Sequence, residues 1–380
     1  MHLNEAPPPE GLLERLRRTV PASAADALAR AVARYGYHRP LVAPQSVELI
    51  LTRRCGLRCH HCILEAFPAT AAELTRGDWL ALMSDARDAG IRHALFTGGE
   101  PLLHPDLEQL LDAARRFGIR VTVSTSLAAV SPSSLRLLAH DAVGMIQTSI
   151  DGASASTHDA RRGLPGAFDS TCHAIAGLSE TRKPVVVSFT VTEDSRTEVE
   201  SVISLAEGLQ VYAFTVNDLL VQGRARETGQ SPMGEAAYEE LRDLFRRRST
   251  HSRTKLLWSG AAPPRGVPPD PEREFIISRC SACLTKCAIG PDGTVFPCVF
   301  LPRPVGDLNT TCFGDLWNTD RFAAIRDRNG LKGRCATCDF KLSCGGCRAR
   351  AYAETGDVMG QDPRCKTDAG GKPAATVKEA

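Results

Sequence analysis

The sequence predicts an α/β protein built on parallel βα units, followed by a small cysteine-rich domain. Three observations predict it. Between residues 46 and 220, six short runs rich in Val, Ile, Phe and Thr alternate with amphipathic segments, the pattern of buried strands joined by helices. Ten of the 14 cysteines lie between Cys280 and Cys365. Between these regions runs GAAPPRGVPPDP (260–271), too dense in Pro and Gly to continue either element type.

In chain order, residues 1–45 read as a short helical extension with a Pro-rich start. Strands are expected at 46–52 (SVELILT), 93–98 (HALFTG), 120–126 (RVTVSTS), 144–151 (GMIQTSID), 184–192 (PVVVSFTVT) and 211–220 (VYAFTVNDLL). Helices are expected at 74–89, with Thr75 as its cap, and at 105–117, where apolar residues recur at three- and four-residue steps. Further helices are expected at 135–142, 168–181, 197–209 and 233–248. A closed or partial barrel and an open doubly wound sheet look alike at this level. The expected units are the 1–45 extension, an α/β domain at 46–257, a linker at 258–275, the cysteine-rich domain at 276–370 and a tail at 371–380.

The formal net charge of +2 gives no electrostatic case for a nucleic-acid or anionic-membrane partner. The N-terminus lacks a basic stretch followed by an apolar one, and no apolar run approaches the ~18 residues needed to span a bilayer. A cytoplasmic location is therefore expected. In that reducing compartment, clustered cysteines bind metal more often than they form disulfides.

The first cluster is Cys55-Gly-Leu-Arg-Cys59-His-His-Cys62, directly after the first expected strand. In parallel βα folds that end of the strands is where active sites are built. An iron–sulfur cubane normally takes four thiolates, so three leave one iron open to a small molecule. The alternative is structural zinc, which needs a fourth ligand such as His60 or His61. Gly98-Gly99-Glu100-Pro101 follows the second strand on the same rim. Two glycines let a ligand approach the backbone closely, and Glu100 offers an acceptor for an ammonium group.

These two motifs together resemble the radical S-adenosylmethionine (SAM) superfamily over residues 46–225. The resemblance implies a partial (β/α)6 TIM-like barrel with a [4Fe–4S] cluster on Cys55, Cys59 and Cys62. The open iron would bind the amino and carboxylate groups of SAM. Reductive cleavage of SAM would then give a 5′-deoxyadenosyl radical that abstracts a substrate hydrogen; the protein binds, aims and shields that chemistry. Gly98, Gly99, Glu100 and Pro101 would face SAM. By looser resemblance, His61 lies near the adenine, and Ser126, with Ser124 and Thr125, lies near the ribose, where many members carry asparagine. Ser149 and Asp151 fall on the fourth rim position. Arg161 or Arg162, in the following loop, would pair with the SAM carboxylate. Asp151 and Asp218 are acid–base candidates by position. Gly223-Arg224-Ala225 resembles members that carry a further cluster domain.

In the cysteine-rich part, Cys335-Ala-Thr-Cys338 and Cys344-Gly-Gly-Cys347 form two CxxC pairs only five residues apart, against the ~15–20 of a zinc pattern. Glycines between Cys344 and Cys347 let the backbone pack against something bulky. The stretch resembles the SPASM auxiliary-cluster domain. The last spacing departs from the commonest form, and CGGCRARAY followed by Thr-Gly-Asp resembles members similar to haem-pathway side-chain-modifying enzymes. The resemblance implies one auxiliary [4Fe–4S] cluster on Cys287, Cys298, Cys347 and either Cys280 or Cys283, and a second on Cys335, Cys338, Cys344 and Cys365. Cys172 and Cys312 are expected to be ordinary small side chains.

Auxiliary clusters suit a net oxidation, because a substrate radical must lose an electron. The expected reaction is an oxidative modification (bond formation, dehydrogenation or decarboxylation) in natural-product or cofactor biosynthesis. A ribosomal peptide is the first substrate expectation, with a tetrapyrrole side chain, sugar or aminocyclitol as alternative. Peptide-modifying members often carry an N-terminal recognition domain, for which the 1–45 extension is too short, so either a separate peptide-recognition protein is an expected partner or the substrate is not a peptide. An external electron donor such as flavodoxin or ferredoxin is another. A distant alternative is a zinc-stabilised binding protein.

Overall fold

The computed structural model describes residues 41, 43–67, 72–259, 276–277, 280–338, 341 and 344–365. Nearly all of the expected 1–45 extension and 258–275 linker, and the whole 371–380 tail, lie outside those residues.

Six parallel strands form the centre: β1 (Ser46–Ile50), β2 (His93–Thr97), β3 (Arg120–Ser124), β4 (Val143–Ser149), β5 (Val185–Val191) and β6 (Ala213–Asp218). They pair strictly in chain order. A doubly wound sheet reverses its strand order at a switch point, whereas a barrel does not. The order therefore fits the partial (β/α)6 barrel and not the open alternative. The strands are each bounded within two or three residues of their expected limits.

The connecting helices are α1 (Arg76–Asp88), α2 (Leu107–Phe117), α3 (Pro132–Leu138), α4 (Ala155–Arg162), α5 (Ala167–Leu178) and α6 (Val199–Gly208). Their starts follow local chemistry. Thr75 and Asp78 form a capping box on α1, and Ser131 caps α3 with Pro132 as its first residue. The helices bury Trp79, Leu82, Leu110, Leu111, Ile175, Val202 and Ile203 against strand residues such as Phe96, Val121, Ile146, Phe189 and Phe214 in one continuous core.

Helix α4 stands where a loop was expected. Its sequence, ASTHDARR, carries no apolar period, because the face it buries consists of His158 and Arg162. The expectation that Arg161 and Arg162 lie in a loop is therefore corrected: both sit in the last turn of α4.

After β6 come the short α7 (Arg224–Glu227), then α8 (Glu235–Ser249) and β7 (Lys255–Ser259), which pairs parallel to β6. The expected linker start at 258 falls inside this strand. Trp258 is fully buried, with its ring 4.6 Å from that of Tyr238 and 5.7 Å from that of Phe245. The short run LLWS was masked by the Pro/Gly stretch that follows it. Strand β8 (Ile276–Ile277) extends the sheet beyond β7.

The cysteine-rich part is not a detached bead. β9 (Lys286–Ile289) runs parallel to β1, with Cys287 opposite Val47. β10 (Thr294–Phe296) and β11 (Gly306–Asp307) follow antiparallel. One eleven-stranded sheet thus spans both regions. Helices α9 (Phe313–Leu316), α10 (Asp320–Arg326), α11 (Arg334–Thr337) and α12 (Arg348–Thr355) complete the described chain.

Candidate cofactor and cluster sites

The loop leaving β1 carries Cys55, exposed, Cys59, buried, and Cys62, half-buried. Two elements hold it by its backbone. From the end of α4, the carbonyls of Arg162 and Arg161 accept the N–H groups of Arg58 at 3.0 Å and His60 at 2.9 Å. From α7, Arg224 donates its backbone N–H to the Cys62 carbonyl at 3.2 Å and its guanidinium to the Cys59 carbonyl at 3.0 Å. Thr228 adds a hydroxyl bond to the His60 carbonyl at 2.9 Å. Gly223 makes the close approach possible: its φ is 55°, and a Cβ there would lie 2.5 Å from the Cys62 carbonyl oxygen.

The sulfurs receive donors as well. The Leu57 N–H points at Cys55 Sγ at 3.4 Å, and Arg162 Nη1 lies 3.5 Å from Cys59 Sγ. Burial pushes the Cys55 and Cys62 thiols up, and neighbouring thiols of the triplet push them further. The charges of the triplet are therefore felt from one cysteine to the next, an effect that bound metal would relieve.

Gly98 and Gly99 are needed by the fold itself. A Cβ on Gly98 would lie 2.5 Å from the Thr52 carbonyl, and one on Gly99 2.3 Å from the Arg54 carbonyl. The cysteine loop itself makes a close approach here. Gly99 and Glu100 donate their N–H groups to those same carbonyls at 2.8 and 2.7 Å. Pro101, buried, opens the turn that follows.

Glu100 reaches across to the end of β3. Its Oε2 accepts the backbone N–H of Ser126 at 2.9 Å and the Ser126 hydroxyl at 2.7 Å, and its Oε1 accepts the Leu102 N–H at 3.2 Å. A carboxylate has roughly four acceptor positions, so about one remains for a bound cation. Ser126 thus sits as the orienting partner of Glu100. Ser149, half-buried, ends β4 one strand further round the rim.

Asp151, just past β4, is fully buried and organises the next group. Its Oδ2 lies 2.6 Å from Arg162 Nη2 and 3.4 Å from His61 Nε2, while Oδ1 accepts the Thr190 N–H at 3.1 Å. Burial pushes Asp151 up, but Arg162, His61 and the Thr190 N–H outweigh it and hold the carboxyl below its ordinary value. Burial lowers His61 against the pull of Asp151. Arg161 is separated from Arg162 in role: it pairs with Glu198 at 2.8 Å. His158, which the sequence reading overlooked, accepts the Asp151 backbone N–H on Nδ1 at 3.1 Å. Burial and Arg162 lower it to about 4. Its only sequence signal was a histidine four residues before Arg162.

These residues fit a bound cluster with an amino-acid ligand. Arg162 is more than nine-tenths buried beside Cys59, yet among the described residues its Nε has no hydrogen-bond partner, and Nη2 meets Asp151 as an ion pair without hydrogen-bond geometry. A buried guanidinium with unused N–H groups is the feature a carboxylate ligand would complete.

Asp218, the other acid–base candidate, is committed elsewhere. Trp258 Nε1 donates to its Oδ1 at 2.9 Å and Arg350 Nη1 to its Oδ2 at 2.7 Å. Arg350 also bonds both oxygens of Asp362, at 2.8 and 3.0 Å.

The C-terminal cysteines fall into two groups. Cys283, Cys287 and Cys298 are fully or nearly fully buried, and Cys280 is half-buried. Burial pushes Cys287, Cys298 and Cys283 well up, and the Cys280 charge adds to the rise at both Cys298 and Cys283. Cys347 is raised to about 11, by burial first and with Cys280 among the contributors. In the second group, burial raises Cys335 and takes Cys344 to about 12, and Cys365 acts on both. Cys338 follows α11 by one residue. Backbone N–H groups of Gly346 and Asp362 aim at the sulfurs of Cys344 and Cys335, at 3.3 and 3.5 Å. Such donors suit sulfur-ligated clusters, whose potential they adjust. Cys172, on α5, and Cys312, whose thiol points at Asp315 at 2.9 Å, lie apart from both groups.

The bulky objects beside the two glycines are arginines. A Cβ on Gly345 would lie 2.6 Å from the Arg328 guanidinium, and one on Gly346 2.7 Å from Arg348 Nη2. Among the described residues, no three His, Cys, Asp or Glu side chains converge tightly enough to hold a single metal ion.

Comparison with known proteins agrees with this construction. Residues 49–206 match the radical SAM superfamily, and residues 280–339 match SPASM, an iron–sulfur cluster-binding domain. The chain is 31% identical over 338 residues to the AdoMet-dependent heme synthase of Methanosarcina barkeri, covering 85% of this chain and 96% of that protein. It is 26% identical over 336 residues to the PqqA peptide cyclase of Rhodopseudomonas palustris, covering 85% and 86%. In structure it resembles Streptococcus suis SuiB bound to S-adenosylmethionine, with a TM-score of 0.69, 20% identity, and coverage of 94% and 86%. [4Fe–4S] clusters and SAM are accordingly its cofactors. A sulfur-ligated cofactor set leaves no place for the structural-zinc alternative, and the chain belongs to the radical SAM superfamily as an enzyme with a C-terminal SPASM domain.

Proposed function

We propose that this enzyme oxidatively modifies a tetrapyrrole side chain. The observation that carries the reading is the match to a heme synthase along 96% of that protein's length at 31% identity. A ribosomal peptide, the first expectation from sequence, is the second reading, favoured by the 26% match to a peptide cyclase. The likeness to SuiB, at 20% identity, speaks for the fold and not for either substrate.

In this reading Cys55, Cys59 and Cys62 hold the SAM-binding cluster. SAM bound there supplies the 5′-deoxyadenosyl radical that removes a substrate hydrogen. Arg162, kept charged and aimed by Asp151, takes the SAM carboxylate, and the remaining acceptor position of Glu100 takes the ammonium. Ser126 fixes the Glu100 rotamer. Gly98, Gly99 and Pro101 hold the rim against the cysteine loop, and His61 and Ser149 line its neighbouring positions. Cys335, Cys338, Cys344 and Cys365 hold one auxiliary cluster.

The other uses Cys287, Cys298, Cys347 and, of the two candidates, Cys280. Burial raises the Cys280 thiol, but the Arg328 charge and backbone donors outweigh it and bring the thiol below its ordinary value. Cys280 is also tied to the segment that carries Cys347, its N–H donating to the Cys344 carbonyl at 3.3 Å, whereas Cys283 donates its own N–H to the Lys286 carbonyl at 3.0 Å. The electron left on the substrate after hydrogen removal would pass to this cluster, whose Cys287 sits on the strand hydrogen-bonded to β1. An external one-electron donor of the flavodoxin or ferredoxin type would supply the reductant for SAM cleavage.

The test is anaerobic reconstitution followed by two assays. About twelve irons with matching sulfide per chain are expected for three cubanes. 5′-Deoxyadenosine release should rise with a propionate-bearing tetrapyrrole. Release stimulated by a precursor peptide, with none from any tetrapyrrole, would transfer the assignment to the second reading.

A further inference from the structure

Arg328 lies in the turn after α10 and is 5% exposed. Its Nη2 donates to the Cys280 carbonyl at 3.2 Å, but among the described residues its Nε and Nη1 have no hydrogen-bond partner. The buried arginines around it are differently placed. Arg348 reaches the carbonyls of Val358 and Gly360 at 3.0 and 2.6 Å, and Arg350 bonds two carboxylates. A buried guanidinium with unused N–H groups and no counter-charge is costly. The chain nevertheless makes room for it. Gly345, at φ 70°, is the residue whose missing Cβ leaves space for the guanidinium, 2.6 Å from where that atom would stand. The cation is thus wedged between Cys280 and the Cys344–Cys347 segment, which carries Cys347 of the same assigned auxiliary site.

We propose that Arg328 is a positioning and potential-setting residue of the auxiliary cluster assigned to Cys280, Cys287, Cys298 and Cys347, donating its unused N–H groups to the sulfur of that cluster. The proposal rests on the ligand assignment above. A cubane with four thiolates is an anion whose negative charge grows by one on reduction. A fixed cation in a dry site stabilises the reduced form more than the oxidised one and so raises the reduction potential. Arg328 is then the missing counter-charge, satisfied by the cluster and in turn making it a better electron acceptor.

The experiment compares wild type, Arg328→Gln and Arg328→Lys after anaerobic reconstitution. Iron and sulfide are counted first, and each cluster is then titrated by EPR-monitored potentiometry. In Arg328→Gln the midpoint of one auxiliary cluster should move to more negative potential while the SAM-binding cluster keeps its own. Arg328→Lys, which retains the charge, should recover part of the shift. Full iron with an unmoved midpoint in Arg328→Gln overturns the proposal and leaves the ligand assignment standing. Loss of the fold in both variants, read by far-UV circular dichroism, gives Arg328 a purely structural role and also overturns it. Wild-type protein without auxiliary iron sinks the ligand assignment itself, and this proposal with it.

Discussion

Single side chains carry two expectations here. Arg162 is the fork that ties Asp151 to the cysteine loop, at 2.6 Å from the one and 3.5 Å from Cys59. Arg162→Lys keeps the charge but not the planar fork, and lysine does not replace bidentate carboxylate recognition. SAM binding to the reconstituted variant should weaken at least about tenfold, on the order of one lost charge-assisted hydrogen bond, as read by equilibrium dialysis. Unchanged affinity would remove Arg162 from the SAM site. His158 sets a pH dependence. It accepts the Asp151 N–H on Nδ1, so it must be neutral in the fold, and its folded value is about 4 against 6.5 when free. Between those values the unfolded chain binds a proton that the folded one refuses, so stability falls as pH drops from about 6.5 to about 4. The loss amounts to at most roughly 3 kcal/mol. The urea midpoint of His158→Gln should fall less steeply over that window than that of wild type; parallel slopes would exclude His158 as the source.

Beyond the hydrophobic core, close backbone contacts at glycines lock the rim to the cysteine loop, and these make a matched pair of variants. Gly99→Ala places a Cβ 2.3 Å from the Arg54 carbonyl, so the rim must part from the cysteine loop. Gly118→Ala meets nothing within 4 Å at the end of α2, though its φ of 67° disfavours any side chain. The second substitution should cost about 1 kcal/mol with full iron content. Gly99→Ala should in addition lose the iron of the SAM-binding site while the auxiliary iron remains, counted after reconstitution. Equal iron in both would mean that rim and loop are not locked together. Of the elements themselves, the six strands and α1, α2, α5, α6 and α8 could be read from the sequence, because each buries an apolar stripe at a strand or helix period. Helix α4 could not, since the face it buries is His158 and Arg162, polar residues buried by pairing with Asp151. Strand β7 was hidden for another reason: its five residues abut a Pro/Gly stretch that dominates any window drawn around them.

Across the whole molecule, barrel and cluster domain are joined by a shared sheet and by a buried ionic group, Asp218–Arg350–Asp362. Asp362 also accepts the Cys347 N–H at 2.7 Å, so the group couples the end of β6 to an auxiliary cysteine. Arg350→Met would strand two buried carboxylates, a loss of about 3–5 kcal/mol. Its urea midpoint should drop clearly, and the auxiliary iron should fall with it; replacing Asp218 and Asp362 by asparagine in the same chain should restore much of the midpoint. A midpoint near wild type in Arg350→Met would show that the domains do not depend on this pairing. The sequence by itself determined the chemistry: three cysteines after one strand, Gly98-Gly99-Glu100-Pro101 after the next, and a ten-cysteine tail specify cluster and SAM binding, because ligand type and short spacing are local properties of a chain. Tertiary structure alone decided what those residues lean on. Which arginine stays beside Cys59, why Gly98 and Gly99 must be small, where Asp218 spends its charge and how Arg328 is left unsatisfied between Cys280 and Gly345 all arise from contacts between segments far apart in sequence. Such contacts leave no periodic or compositional trace, since each is set by the meeting of two chains of backbone rather than by the order of residues within one.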